Sequence, residues 1–134
     1  MTPFSLKIVT PDGLIFDGEA EELVVRTTSG DLGILAGHIN CVAPLGMGRA
    51  TIITEGKRRY AACIGGMVTV VGKEVTLVPT TFEWADTIDV ARAEISKKRA
   101  EDILSDQKST DIQLKLAEAR LKRALVRKGV AGRK

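Results

Sequence analysis

The hydrophobic pattern of this chain changes character once, at Thr87-Ile88-Asp89-Val90-Ala91-Arg92-Ala93. Before that stretch, short apolar runs are punctuated by glycine in the manner of β-strands. After it the pattern is helical to the last residue. Asp89 is suited to cap the first helix. Its carboxylate accepts from the free N–H groups of the first turn, and its charge suits the positive end of the helix dipole. Ile88, just ahead of it, is placed to pack back as a hydrophobic staple.

The first half reads as strands and turns. Phe4, Leu6 and Ile8 alternate with polar neighbours, and Thr10-Pro11-Asp12-Gly13 reads as a tight turn. Residues 14–27 hold a second strand or two, with Glu19, Glu21 and Glu22 toward water and Leu23-Val24-Val25 toward the core. Ser29-Gly30-Asp31 is a turn, and the glycine-rich stretch from Leu32 to His38 is a loop. Residues 49–54 and 58–64 flank Glu55-Gly56-Lys57, and residues 67–71 and 74–78 flank Gly72-Lys73, which gives two hairpins. Short strands with turns this regularly spaced predict an antiparallel β-sandwich over residues 1–84. Aromatic residues make up only 4% of the chain, so Val, Ile and Leu must fill it.

The last fifty residues predict two helices. The first spans about 89–105, with Val90, Ala93, Ala100 and Leu104 as its apolar stripe and the stem of Lys97 covering the gap. Residues 106–109 break it. Thr110 and Gln113 form a capping box for the second helix, which ends near Gly129 and presents Leu114, Ala117, Leu121 and Ala124. The short connection makes an antiparallel hairpin over residues 85–134. Its seam is thin because alanine buries little area, so the hairpin depends on docking against the sandwich, on a ligand, or on both. Arg92 and Arg99 share one face of the first helix, and Arg120, Arg123 and Arg127 form a row on the second. Antiparallel pairing turns these rows toward each other, which is unfavourable unless an anion lies between them or water separates them.

Charge divides the chain in the same place. Residues 1–84 carry 7 Lys/Arg and 9 Asp/Glu, whereas residues 85–134 carry 13 Lys/Arg and 8 Asp/Glu. Such a basic tail seeks an acidic partner, a phosphate or a membrane surface. Two cysteines, Cys41 and Cys63, and a single His38 make a zinc site untenable, and buried free thiols are expected. The glycine loop lacks a phosphate-binding fingerprint, and His38 has no nucleophile at recognisable spacing. No enzyme is expected. No apolar segment of signal-peptide or membrane-span length is evident, so the membrane is expected only through partners.

Four stretches carry a resemblance when taken in order: Ile8-Val9-Thr10-Pro11-Asp12-Gly13, the run from Ser29 to His38, Gly65-Gly66-Met67, and Ile88-Asp89-Val90-Ala91-Arg92-Ala93. With these the chain resembles the epsilon subunit of bacterial F-type ATP synthases over its full length. The resemblance implies a non-catalytic rotor subunit, peripheral on the cytoplasmic face of the bacterial cell membrane, whose sandwich binds the gamma subunit and sits on the c-ring. Asp31 and His38 would touch that ring. The hairpin either folds on the sandwich or opens toward the catalytic alpha and beta subunits, where it inhibits ATP hydrolysis through Arg120, Lys122, Arg123, Arg127 and Lys128. ATP, as a regulatory ligand needing no metal, would bind the folded hairpin at Glu83, Ile88, Asp89, Arg92, Ala93, Arg99, Arg123 and Arg127. Two departures stand out. Ala36 replaces the usual proline, which is expected to loosen the loop, and Met67 replaces the usual phenylalanine, which is expected to alter core packing.

A competing reading is a stand-alone nucleotide- or nucleic-acid-binding module with a basic helical tail. Against nucleic acid, the second helix has no aromatic residue on which bases could stack.

Overall fold

The computed structural model describes residues 2–132. Arg133 and Lys134 of the basic tail lie outside the described residues. Eight strands come first: β1 (Phe4–Thr10), β2 (Gly13–Ala20), β3 (Glu22–Thr27), β4 (Gly30–Ile34), β5 (Cys41–Pro44), β6 (Met47–Thr54), β7 (Lys57–Val71) and β8 (Glu74–Trp84). A 3-10 turn, Ala85–Thr87, leads into α1 (Val90–Ser105) and α2 (Asp111–Ala131). The expected sandwich and hairpin are both present, but residues 31–34, expected in a turn and a loop, belong to β4 because they pair with Leu23 to Arg26 of β3.

Turn chemistry sets the pairing. Glu55 and Gly56 both take positive φ, 53° and 73°, in the two-residue turn that places Thr54 opposite Lys57. The strands run in the order β2-β1-β8-β7-β6-β3-β4, with β5 pairing with β7 off this path. Three strands separate β1 from β3, yet Leu6 and Ile8 of the first share one core with Leu23 and Val25 of the second. The sheet is therefore folded over on itself.

The fold line is in β7. Residues 58–64 and 67–71 are expected as separate strands, but they form one strand of 15 residues that bends at Gly65 and Gly66, with φ of 68° and 95°. Before the bend β7 pairs with β6 as far as Ile64, and after it with β5 from Met67. The strand stays continuous because β8 follows it on both sides, Ile64 opposite Thr81 and Gly66 opposite Pro79. A side chain at Gly66 would overlap the Val78 carbonyl oxygen.

Aliphatic residues fill the core as expected, closed at one end by Phe82 packed edge-on to Trp84 and by the Arg59 guanidinium 3.6 Å above the Trp84 ring. Both cysteines are free, but only Cys63 is buried; desolvation pushes its thiol up to about 12, while Cys41 is half-exposed. Met67 does not touch the core. It is 46% exposed on the outer face, because the bend turns residue 67 outward opposite Val78 and Pro44. Ala36 sits in the turn closed by the His38 amide donating to the Leu35 carbonyl, with Gly37 at φ 84° after it. That is the second position of a type II turn, where proline is favoured because its ring presets φ.

The helix caps form as expected. Asp89 accepts from the Arg92 amide at 3.0 Å, and Thr110 and Gln113 exchange both bonds of the capping box. The seam of α2 holds, with Leu114 and Leu121 half-buried and Ala117 and Ala124 buried. That of α1 differs from expectation. Ala93 and Ala100 are buried, but Val90 and Leu104 are 43% and 36% exposed, and Ser96 and Ile103 take the intervening places. The last turn also differs, since α2 runs through Gly129 to Ala131. Val130 and Ala131 are buried against Ala62, Ala85 and Ile88, and this tertiary burial outweighs the helix penalty of one glycine.

Two substitutions test this account. Gly66→Ala has neither space nor an allowed φ, so the protein should lose several kcal/mol and unfold well below the wild-type midpoint in urea. Ala36→Pro should raise stability by about 0.4–1 kcal/mol by restricting the unfolded chain, visible as a higher melting temperature.

Candidate functional site

The end of β8, the 3-10 turn, the first turns of α1 and the end of α2 converge on one cleft. Its volume is about 450 Å³, and it is lined by Glu83, Thr87, Asp89, Arg92, Ala93, Ser96 and Arg127. Glu83 stands opposite Ala62 on the outward face of β8. The Thr87 hydroxyl donates to the Trp84 carbonyl at 2.9 Å and closes the turn. Asp89 spends one carboxylate oxygen on the helix cap. Ala93 is buried at the seam, so α2 comes close enough for Arg127 to reach the opposite wall.

Of the eight residues expected to hold ATP, five line this cleft: Glu83, Asp89, Arg92, Ala93 and Arg127. Ile88 is buried with Ala62, Ala85, Val130 and Ala131 and holds the turn in place. Arg99, two turns further along α1, is exposed, and Arg123, one turn before Arg127, is half-buried; neither lines the cleft. Thr87 and Ser96 line the cleft but are not among those eight. Ser96 was legible in principle, because it lies three residues from Ala93 and four from Arg92 on a helix.

The electrostatics depart from two facing cationic rows. Arg127 Nε donates to Glu83 Oε1 at 2.6 Å, a charge-assisted bond between side chains only 26% and 31% exposed. Beside it, Lys128 pairs with Glu94 of α1, and that hydrogen bond lowers the Glu94 pKa and raises the Lys128 pKa. Among the described residues Arg92 forms no ion pair, and its guanidinium is exposed at the cleft. The cleft thus holds two carboxylates and two guanidiniums, one pair already joined.

The other expected contact residues lie elsewhere. Asp31 sits on β4 opposite Arg26 of β3 and pairs with it at 2.8 Å. His38 lies in the loop after β4, with Nδ1 2.8 Å from the Ile39 carbonyl and 4.0 Å from Cys41 Sγ. Arg120 and Lys122 are exposed on α2, whereas Arg127 and Lys128 are engaged in the ion pairs just described. No helix among the described residues is long and apolar enough to cross a membrane.

Residues 3–85 match the ATP synthase Delta/Epsilon chain beta-sandwich domain, and residues 86–132 match the ATP synthase Delta/Epsilon chain long alpha-helix domain. The ATP synthase epsilon chain of Bacillus velezensis is 44% identical over 98% of this chain and 99% of its own length. The chain belongs to the ATP synthase epsilon family. It is therefore a non-catalytic subunit of the rotary complex. The epsilon chain of Ruminococcus albus is likewise 44% identical, over 100% of both chains. Among solved structures, a chain of the Euglena gracilis mitochondrial ATP synthase OSCP/F1/c-ring assembly superposes with a TM-score of 0.84 at 20% identity, covering 100% of this chain and 83% of that one. A chain of the Tetrahymena thermophila mitochondrial ATP synthase central stalk/c-ring gives 0.62 at 14% identity, covering 95% of each. At these identities the likeness is one of fold.

Proposed function

We propose that this epsilon chain couples a gamma subunit to the c-ring, and that its hairpin binds ATP without hydrolysing it when folded and inhibits ATP hydrolysis when open. The single observation that carries the nucleotide reading is the cleft itself. It brings the exposed Arg92 of α1 and the Arg127 of α2 to one space of about 450 Å³, within the range of roughly 300–1,000 Å³ usual for ligand sites. A polyphosphate there bridges the two helices through charge-assisted hydrogen bonds, while Asp89 keeps the first turn of α1 in register. Arg99 and Arg123 lie along the same two helices for a phosphate chain that extends beyond the cleft. Because Arg127 serves the folded state, it is withheld from any acidic surface that the opened helix meets. ATP therefore favours folding by no more than its differential affinity, about 2.7 kcal/mol at a hundredfold excess over Kd.

The coupling reading is supported by the outer face of the sheet. Leu14 opposite Val9, Val78 opposite Met67, and Met67 opposite Pro44 place apolar residues across β2, β1, β8, β7 and β5, Val9 and Val78 following the paired Ile8 and Leu77. Leu14, Val78 and Met67 are 59%, 43% and 46% exposed, and an exposed apolar face of this kind marks a protein contact. The loop after β4 adds exposed Leu35 and Ile39 beside His38, an apolar tip fit for the c-ring.

Calorimetry on the isolated chain tests the nucleotide reading. ATP should bind, inorganic phosphate should not appear, and Arg92→Ala should weaken binding at least tenfold, in line with the loss of a charged hydrogen bond. Unchanged binding in that variant removes the site assignment.

Reconstitution tests the rest. A chain ending at residue 84 keeps every member of the main core. It should assemble yet leave hydrolysis unrestrained, whereas the full chain with Val78→Glu should fail to assemble. Normal assembly of Val78→Glu would show that this face is not the contact.

A further inference from the structure

We propose that residues 126–131 of α2 form a latch that holds the folded hairpin to the sandwich, weakened at one built-in position, Gly129. The buried apolar contact between hairpin and sandwich is at this end, and α2 also lies against β6. Val130 and Ala131, with Val126 beside them, pack against Ala62 and Tyr60 of β7 and against Ala85 and Ile88 of the connecting turn. Arg127 reaches sideways to Glu83 at the end of β8, and Lys128 ties the same turn to Glu94 of α1. Toward the other end of the hairpin, Ile112 and Leu116 are 72% and 55% exposed. Among the described residues the hairpin's buried apolar attachment to the sandwich is therefore at this end.

Gly129 sits between the charged and apolar parts of that attachment, inside the helix. A side chain there would meet open space, so no packing demand calls for glycine. Its effect is to lower the helix propensity of the last turn and expose backbone to water. The last turn is then helical only while Val130 and Ala131 are docked, and undocking and fraying occur together. Local unfolding of this kind sets the free energy at which a segment opens. The latch needs no ligand; that its release frees the hairpin for a partner rests on the function proposed above.

Amide hydrogen exchange on the full chain without nucleotide tests the latch. Val130→Asp puts a charge into the apolar contact and should speed exchange across residues 85–131 roughly tenfold or more, with the strand amides unchanged. Gly129→Ala should act the other way and slow that exchange about fivefold, the factor corresponding to glycine's helix penalty. Leu125→Gln, on the exposed side of the same helix, should leave it unaltered. Should Val130→Asp disturb the sandwich as well, Gly129→Ala decides. Exchange unaffected by Gly129→Ala, or hairpin protection retained in a folded Val130→Asp, overturns the latch. With no nucleotide present, a failure to bind ATP leaves these outcomes where they are.

Discussion

Over residues 61–64 strand β7 buries both of its faces, and the rest of the molecule depends on that. Ala61 and Cys63 point into the sandwich core, while Ala62 between them lies under the end of α2. Small side chains are what this requires, because a sheet and a helix approach the same short stretch from opposite sides. Two residues beyond Ile64 the strand bends, and the bend allows one hydrogen-bonded sheet to become two layers. Architecture and hairpin docking thus meet within six residues. The two glycines are confined by backbone geometry, while the alanines before them are confined by packing density.

The cleft beside this strand is an arrangement of charges that can be satisfied in more than one way. Glu83 and Arg127 already satisfy each other, and Arg92 looks into the same space with no ion-pair partner among the described residues. A dianionic or larger phosphate group has two guanidiniums within reach but must share one with a carboxylate. An ion pair about two-thirds withdrawn from water is stronger than a surface pair and costs more to leave broken. On the function and latch proposed above, ligand and latch act on one residue, so that occupancy of the cleft and attachment of the hairpin are linked without contact between distant sites. The thin alanine seam fits this role. A hairpin with a large core of its own would not respond to changes of a few kcal/mol.

How much was legible follows from the range of the interactions. Most strands, the turns at Glu55-Gly56 and Gly72-Lys73, the caps at Asp89 and Thr110, and the alanine seam of α2 are readable, whereas β4 lies where a turn and a loop are expected. Each readable feature is decided by residues within a few positions of one another. Five cleft residues follow from the family resemblance and the helical spacing of arginines. The other three lie away from its walls, because spacing along a helix says which face a residue takes but not where the neighbouring element ends.

What the sequence by itself determined is the order of the elements, the hairpin and its polarity, and the division of charge between the two halves. Period and turn chemistry are local, and so are their consequences. Only the tertiary structure decided that β7 is one bent strand, that Met67 faces outward, and that α2 runs past Gly129. It alone paired Arg127 with a carboxylate 44 residues away. Each of these turns on a neighbour distant along the chain. Burial against Ala62 and Ile88 overrides the stop signal of a glycine, and a partner strand on both sides overrides the break expected at two.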